Sequence, residues 1–395
     1  MKLELNMSRG QPSVEQFDLS NEMLETLGAK DYIAEDGLDC RNYPGGICGL
    51  AEAREYFSKF LEVPSSQTLV GNNASIEIMQ DILVWAMLRG LPGGTAPWSG
   101  QSPKFLCPVP GYDRHYTMLE ALGIEMIPVA LNEDGPDMEQ VSKLVAKDAS
   151  IKGIWCVPKY SNPTGITYSD EVVDALAQMK TAAGDFRIFW DNAYALHHFC
   201  EKPQVLKNLY ASCEAAGNAN RAYIFGSTSK ITFAGAGLCY MGCSPENLAQ
   251  LSELFGTQSI GPNKLNQLRH VRFLKAYPGG VEGLMKKHAE IVKPKFEAML
   301  EVLEAELGGT ELASWSKPEG GYFISFDTKP GMASKVVALA KETGVVLTPA
   351  GATFPYGKDE QDTNIRIAPT KPTLEEIKLA AEVIAVCVKV VSSKA

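Results

Sequence analysis

The sequence predicts an α/β protein with a large three-layer αβα domain, built around a mostly parallel mixed sheet, and a smaller α+β domain. Between residues 104 and 225, short β-branched and aromatic runs alternate with amphipathic runs of helical length. Such alternation builds βαβ units with parallel strands. From about residue 281 the pattern changes to one long helical run followed by short strands and helices, which indicates a second domain.

The elements of the first domain begin with a predicted helix over 75–90. The Gly-, Pro- and Ser-rich stretch 91–103 follows, and we predict a surface loop there. Strands and helices then alternate, with Ser169 as the expected N-cap of one helix. The predicted strands are 104–109, 124–131, 151–158, 186–191 and 221–225, and the predicted helices are 116–123, 138–148 and 169–184.

The second domain is predicted to start with a long bridging helix over 281–309. A strand (320–327), a helix (332–344), two short strands (345–350 and 364–369) and a final helix from Leu374 follow. We therefore divide the chain into an N-terminal segment that joins the small domain (1–43), the large domain (44–280) and the bridging helix with the small domain (281–395).

Composition excludes several classes of partner. The formal net charge of −10 argues against nucleic acid and anionic membranes, both of which need a concentrated positive surface. The sequence has no apolar run of membrane-spanning length and no apolar signal core at its N-terminus. Nine scattered cysteines fit reduced thiols. We expect a cytoplasmic protein without a metal site.

Polar residues follow three of the predicted strands, in "PKYSNPTG" (158–165), "DNAYALHH" (191–198) and "GSTSK" (226–230). The carboxyl ends of parallel strands meet at one edge of a sheet, where ligands bind. Lys230 comes just after an apolar strand and before the apolar, glycine-rich "ITFAGAGLCYMG". Partial burial would lower the pKa of its amine, as suits a Schiff-base nucleophile, although an ordinary lysine is equally compatible with this stretch alone.

Together, the three clusters describe a site for pyridoxal 5'-phosphate. The cofactor needs a lysine for the Schiff base and an acid at its ring nitrogen, for which Lys230 and Asp191 are the candidates. Asn162 and Tyr194 could donate hydrogen bonds to its phenolic oxygen. "GNNAS" (71–75) precedes a helix and fits a phosphate cradle, with hydroxyls from Ser227 and Ser229.

These motifs resemble those of the fold-type-I, class I aminotransferases, in the family's order and over nearly the whole chain. "MSRGQPS", "STSKITFAGAG" and "NQLRHVRFLK" most resemble a divergent branch of aspartate aminotransferases, related to the aminotransferase domain of MocR-type regulators. The resemblance implies a pyridoxal phosphate-dependent enzyme. It implies a cofactor site of Tyr43, Asn73, Ala74, Ser75, Tyr112, Asn162, Asp191, Tyr194, Ser227, Ser229 and Lys230, and substrate binding by Arg366, Asn162 and Gly10.

The resemblance also implies transfer of an amino group between an L-amino acid and a 2-oxo acid in a ping-pong reaction, best matched by L-aspartate with 2-oxoglutarate. Lys230, Asp191 and Tyr194 would be catalytic. It further implies a homodimer with shared active sites, because the tyrosine at position 43 reaches the neighbouring subunit's phosphate in this family.

Three departures from the family pattern concern charge. Leu238 stands where many members have a phosphate-binding arginine, so Arg269 or Lys264 are candidates to replace it. The arginine that the partner subunit gives to a dicarboxylate side chain has no clear counterpart. Gln11 also replaces a lysine expected in this branch, and substrate identity therefore stays more open than reaction type.

Three alternatives remain at this stage. The first is another enzyme of the same fold, either a β-lyase or an aminotransferase for alanine, aromatic or other substrates. The second is a nicotinamide-dependent oxidoreductase using "GAGLCYMG", although the acidic residue in range, Glu253, falls in a helical sequence pattern rather than at a strand end. The third is a non-catalytic, cofactor-sensing module. We interpret His197 and His198 as structural residues.

Overall fold

The fold was analysed in a computed structural model that describes residues 4–43 and 46–394. Residues 44 and 45, which follow Tyr43, lie outside the described residues, as do positions 1–3 and 395 of the proposed domain ranges. The helices are α1 (Val14–Asp18), α2 (Ala51–Leu61), α3 (Ser75–Arg89), α4 (Asp113–Ala121), α5 (Met138–Val145), α6 (Asp170–Gln178), α7 (Leu209–Ala215), α8 (Pro245–Gln258), α9 (Lys264–Ala276), α10 (Gly280–Leu307), α11 (Ala333–Glu342) and α12 (Leu374–Ser392).

The strands form a large sheet, a three-stranded sheet and a two-stranded pair. They are β1 (Leu5–Asn6), β2 (Thr68–Val70), β3 (Lys104–Val109), β4 (Glu125–Asn132), β5 (Gly135–Pro136), β6 (Ile151–Cys156), β7 (Arg187–Asp191), β8 (Ala222–Ser227), β9 (Cys239–Gly242), β10 (Ala313–Trp315), β11 (Ile324–Thr328), β12 (Val345–Val346) and β13 (Asn364–Ile367).

The large sheet has the order β2-β9-β8-β7-β6-β3-β4-β5. Its five central strands, from β8 to β4, are parallel, and the outer strands β9, β2 and β5 are antiparallel to their neighbours. Side chains alternate between two buried clusters, so that Ile188 and Trp190 of β7 face one layer and Phe189 the other. The predicted three-layer α/β class with a mostly parallel mixed sheet is confirmed.

The small-domain sheet has the order β10-β11-β13 and is antiparallel. Its core includes residues of α10, α11 and α12 together with Leu5 and Met7. Strand β1 pairs in parallel with β12, which attaches the N-terminal segment at this point. Met23, Ala34 and Cys40 instead join the large-domain core. Our numerical division of the chain at residues 43 and 280 stays a prediction.

Two parts of the sequence interpretation were incomplete. The stretch 91–103 was predicted as a surface loop, but Trp98 is fully buried and its Nε1 donates a 2.7 Å hydrogen bond to the buried Asp185. The glycine-rich stretch after Lys230 leads into strand β9, which is antiparallel to β8. A dinucleotide-binding loop opens a helix after a strand, so this alternative loses its structural basis.

None of the helices in the described ranges combines the length and apolar character needed to cross a bilayer. Within the same ranges, no group of three or more His, Cys, Asp or Glu side chains is arranged to bind a metal ion. Each of the nine cysteines is a free thiol.

Candidate active site

A cavity of about 340 Å³ lies at the carboxyl-end edge of the parallel strands, within the usual size range of small-molecule sites. Residues that follow β6, β7 and β8 line it, and so do the starts of α3 and α4, the N-terminal segment and the small domain. The predicted site residues that line this cavity are Gly10, Ala74, Ser75, Tyr112, Asn162, Asp191, Tyr194, Ser227, Ser229, Lys230 and Arg366. Asn73 and Tyr43 do not.

Lys230 is held by the turn that follows β8. Its Nζ lies 5.2 Å from the centre of the Tyr194 ring and 5.8 Å from that of Tyr322. Removal from solvent lowers the pKa of the amine; the Asp191 carboxylate opposes this shift and the Arg366 guanidinium adds to it. The lowered pKa favours the neutral amine, which is the nucleophilic and basic form.

Asp191 ends strand β7, and its side chain is buried. Its Oδ2 lies 3.0 Å from Nε2 of the buried His115, whose ring stacks on Trp155 at 4.1 Å. With the proton on Nε2, His115 donates to the carboxylate and holds its orientation. Oδ1 is buried and has no hydrogen-bond partner among the described residues. Buried polar atoms in native proteins are almost always paired. This oxygen is therefore free to accept a hydrogen bond from a bound ligand.

Two tyrosines complete this part of the wall. Tyr194 is buried, and burial raises the pKa of its phenol well above the ordinary value, with Tyr112 and Asp191 adding to the effect. Burial also raises the pKa of Tyr112 to about 12, with smaller contributions from Asp191 and Asp113. The Tyr112 ring meets His115 edge to face at 4.9 Å. Both phenols are therefore neutral hydrogen-bond donors near pH 7.

The start of α3 and the β8 turn form the anion-binding end of the cavity. Ala74 is the N-cap of α3 and Ser75 its first residue, so unpaired N–H groups of the first turn lie here. Ser227 Oγ and Ser229 Oγ lie 2.7 Å apart. Asn73 is not in the wall; its Oδ1 accepts a 2.8 Å hydrogen bond from the Gly237 N–H and thereby fixes the glycine-rich turn against the start of α3.

The structure brings neither of the cations suggested to replace the missing arginine into the cavity wall. Lys264 is buried, and its Nζ donates to the main-chain oxygen of Tyr43 at 2.7 Å. Arg269 donates to Asn266 Oδ1 on the same helix. Leu238 is itself fully buried, and its N–H donates to Thr228 Oγ1. Backbone N–H groups and serine hydroxyls are the hydrogen-bond donors that remain at this end of the cavity.

Arg366, on β13, is buried and approaches the cavity from the small domain. One of its terminal nitrogens, Nη1, donates to Asp113 Oδ1 at 2.8 Å and lies 3.4 Å from Asn162 Oδ1. Its guanidinium carbon lies 4.8 Å from the centre of the Phe323 ring, a cation–π distance. The predicted carboxylate-binding arginine thus already holds a carboxylate, that of Asp113.

The sequence analysis missed several contributors to this site: His115, Asp113, Phe323 and Thr348. The first two follow Tyr112 in "PGYDRHY", a stretch in which only the tyrosine was given a role from the sequence. The signal that could have found His115 is helical spacing, since positions 112 and 115 lie on one face of a helix. Phe323 and Thr348 gave no such signal, because their role depends on where the small domain packs.

Pyridoxal phosphate fits this arrangement, because the unpaired Asp191 Oδ1 provides the acceptor that a protonated pyridine nitrogen needs. The same cavity supplies an amine with a lowered pKa and an anion-binding helix start. The class of protein defined by this fold and site is a pyridoxal 5'-phosphate-dependent aminotransferase of fold type I. The family model described as "Aspartate amino-transferase" matches residues 1–395, and the chain belongs to this family.

Relatives support this assignment over the whole chain. An aspartate aminotransferase of Corynebacterium glutamicum is 46% identical over 388 residues, which is 98% of this chain and 89% of the relative. The crystal structure of an aspartate transaminase from C. glutamicum matches with a TM-score of 0.96 and 44% identity, covering 99% of this chain and 92% of that one.

Two more distant matches concern the fold and the branch. LysN, an α-aminoadipate aminotransferase of Thermus thermophilus solved with N-(5'-phosphopyridoxyl)-L-leucine, shares the fold with a TM-score of 0.81, 20% identity and coverage of 99% and 94%. The HTH-type transcriptional regulator YdfD of Bacillus subtilis is 22% identical over 394 residues, which is 99% of this chain and 75% of the regulator. This similarity fits the predicted relation to regulator-linked aminotransferases.

Proposed function

We propose that this aminotransferase transfers the amino group of L-aspartate to 2-oxoglutarate. The observation that carries the proposal is the meeting of Lys230, the unpaired Asp191 Oδ1 and Arg366 in one cavity. The aspartate aminotransferase relative with 46% identity supports the choice of amino acid. 2-Oxoglutarate is the acceptor that the family resemblance implies.

The roles of the side chains follow from their charges and partners. Arg366 binds the α-carboxylate of the amino acid with two N–H groups, a geometry that guanidinium favours, and exchanges the Asp113 carboxylate for it. Asn162, 3.4 Å from Arg366 Nη1, helps to fix the guanidinium. Ala74, Ser75, Ser227 and Ser229 would hold the phosphate, and Tyr194 would donate to the phenolic oxygen.

Proton transfer is assigned to Lys230. Pyridoxal phosphate, when bound, supplies an electron-withdrawing ring that stabilises negative charge at the substrate's α-carbon. The neutral Nζ of Lys230 accepts the α-proton as a general base and later returns it as a general acid. Asp191 Oδ1 would keep the ring nitrogen protonated, while His115 prevents the carboxylate from turning away.

We further propose a cytoplasmic homodimer in which Tyr43 serves the partner's cavity. Tyr43 is 67% exposed and lies outside the cavity of its own chain. Its main-chain oxygen is nevertheless held by the buried Lys264, which positions the side chain for an outside contact. Measurement of the mass in solution, together with restoration of activity on mixing Tyr43→Ala and Lys230→Ala chains, would test shared sites.

The function is tested with purified protein and a panel of amino acids, each with 2-oxoglutarate as acceptor. We expect transfer from L-aspartate, a yellow absorption band that disappears on borohydride treatment, and neither in Lys230→Ala. Loss of the general acid–base alone should lower kcat by about 10⁴-fold. Release of ammonia or a thiol without any 2-oxo acid would instead identify a β-lyase, and absence of turnover with every amino acid would contradict the proposal.

A further inference from the structure

A dicarboxylic amino acid presents two carboxylates to the site, and Arg366 accounts for one of them. The family resemblance leads us to expect an arginine from the partner subunit for the other, but this sequence has no clear counterpart to it. Among the described residues, the cationic side chains that line the cavity are Arg9, Arg114, Lys230 and Arg366. Since Lys230 is the nucleophile, Arg9 and Arg114 are the cations whose role is unassigned.

Arg9 belongs to a segment that is fixed beside Arg366. The main-chain oxygens of Met7 and Gln11, on either side of it, accept hydrogen bonds from Ala368 and Thr370 of the small domain at 2.9 and 2.8 Å. Thr348 Oγ1 donates to the main-chain oxygen of Ser8 at 2.8 Å and lies 3.4 Å from Arg366 Nε. The backbone that carries Arg9 is thus only one threonine away from the α-carboxylate site.

Arg114 lines the same cavity from the large domain. It lies in the first turn of α4, directly after Asp113, whose carboxylate is 2.8 Å from Arg366 Nη1. The two unassigned arginines therefore share the cavity with Arg366 and come from two separate parts of the chain. A side-chain carboxylate is separated from the α-carboxylate by only a few bonds, so its site has to lie in the same cavity as Arg366, and both arginines line that cavity.

The guanidinium groups of both arginines are free to bind an anion. Neither side chain makes a hydrogen bond or an ion pair with any residue in the described part of the chain, and both are exposed. The acidic residues that line the cavity with them are already engaged, Asp113 by Arg366 and Asp191 by His115. An incoming carboxylate would meet two free guanidinium groups, which bind carboxylates with paired N–H donors.

We infer that Arg9 and Arg114 form the subsite for the side-chain carboxylate of a dicarboxylic substrate, supplied by the same chain that supplies Arg366. The inference rests on the proposed function and names the residues that select its substrate class. It places both carboxylate sites within one subunit.

The test uses the full-length holoenzyme and the variants Arg9→Gln and Arg114→Gln. Arg89→Gln is the matched control, because Arg89 is an exposed arginine in the last turn of α3 and does not line the cavity. Each variant should lower kcat/KM for L-aspartate by about 10- to 100-fold, the loss expected for a charged hydrogen bond. Turnover of L-alanine should change by less than about 2-fold.

Binding supplies a second readout that does not depend on turnover. Calorimetric titration with maleate, a dicarboxylate, should show the same loss of affinity in both variants, whereas titration with butanoate, which has one carboxylate, should not. Equal losses for aspartate and alanine would overturn the inference and assign the arginines a general structural role. Unchanged aspartate kinetics would also overturn it and leave the second carboxylate to another residue. Failure of the unmodified enzyme with every amino acid would instead contradict the proposed function.

Discussion

Gly10 shows how one residue can determine the position of a binding group that lies elsewhere in the sequence. A Cβ atom added at Gly10 would lie 2.6 Å from Cζ of Phe323, closer than packed carbon atoms approach. Phe323 is buried and its ring faces the Arg366 guanidinium at 4.8 Å. The absence of a side chain at position 10 thus lets the N-terminal segment close onto the ring that supports the carboxylate-binding arginine.

We predict that Gly10→Ala displaces Phe323 and with it Arg366. Because Arg366 is the proposed ligand of the α-carboxylate both before and during the reaction, KM for amino acids should rise about 10-fold while kcat changes less than about 2-fold. Steady-state kinetics measures both. Gly100→Ala is the control, since no atom lies within 4 Å of the Cβ position there. An unchanged KM in Gly10→Ala would show that Phe323 can yield without moving the arginine.

At the scale of elements, the loop 91–103 is mostly exposed but is attached to the core by its buried tryptophan. Trp98 donates to Asp185 Oδ2 at 2.7 Å, and Lys152 Nζ donates to Asp185 Oδ1 at 2.9 Å. All three side chains are buried. A buried carboxylate is costly unless hydrogen-bond donors surround it. The loop supplies one of the two donors to Asp185, and Lys152 of β6 supplies the other as an ion pair.

Trp98→Phe removes one donor from this carboxylate while keeping an aromatic ring. We expect a loss of about 1–3 kcal/mol in the free energy of unfolding, with kcat unchanged because Trp98 is outside the cavity wall. Trp315→Phe is the matched control, since the buried Trp315 Nε1 has no hydrogen-bond partner in the described structure. Denaturant midpoints of the two variants measure the difference. A larger effect in Trp315→Phe would contradict the role given to the Asp185 contact.

At the scale of the whole molecule, buried neutral histidines make stability depend on pH. Burial lowers the pKa of His197 to about 3 and the pKa values of His270 and His288 to about 4. His197 and His288 lie near the main-chain oxygens of Lys230 and Ile231, at 3.3 and 3.0 Å, and His270 contacts Thr232 at 3.0 Å. The structural role of His197 stays a prediction.

The sign of the pH effect follows from these shifts. The pKa values in the folded state lie below the unfolded value of about 6.5, so the unfolded chain takes up protons first as the pH falls. The contribution to stability is complete above about pH 6.5 and decreases as the pH falls towards 4. At pH 5 each buried histidine should lower the free energy of unfolding by up to about 2 kcal/mol.

Thermal midpoints between pH 7.5 and 5.0 test this prediction. The midpoint should fall over this range in the unmodified protein, and it should fall less in His270→Gln, which has no proton to gain at that position. We choose His270 because it does not line the cavity. A midpoint that stays constant down to pH 5, or an equally steep fall in His270→Gln, would contradict the assignment.

The local pattern of apolar and polar residues was enough to predict the main strands and part of the candidate site. The sequence shows the apolar strands β3, β6, β7 and β8 and the parallel connections between them, because apolar periodicity and chain direction are local properties. Parallel strands bring their carboxyl ends to one edge. The convergence of Asn162, Asp191 and Lys230 on one cavity therefore followed from the sequence by itself.

Only the tertiary structure decided which partners these residues have. Three such contacts join segments that are far apart in the sequence. They are the ion pair or hydrogen bond of His115 with Asp191, the ion pair of Asp113 with Arg366, and the packing of Gly10 against Phe323. The burial of Trp98 within the predicted surface loop depends on a distant partner for the same reason, since Asp185 is 87 residues away. Local composition reports the conformation of a segment, whereas burial and charge pairing depend on the surfaces that other segments bring to it.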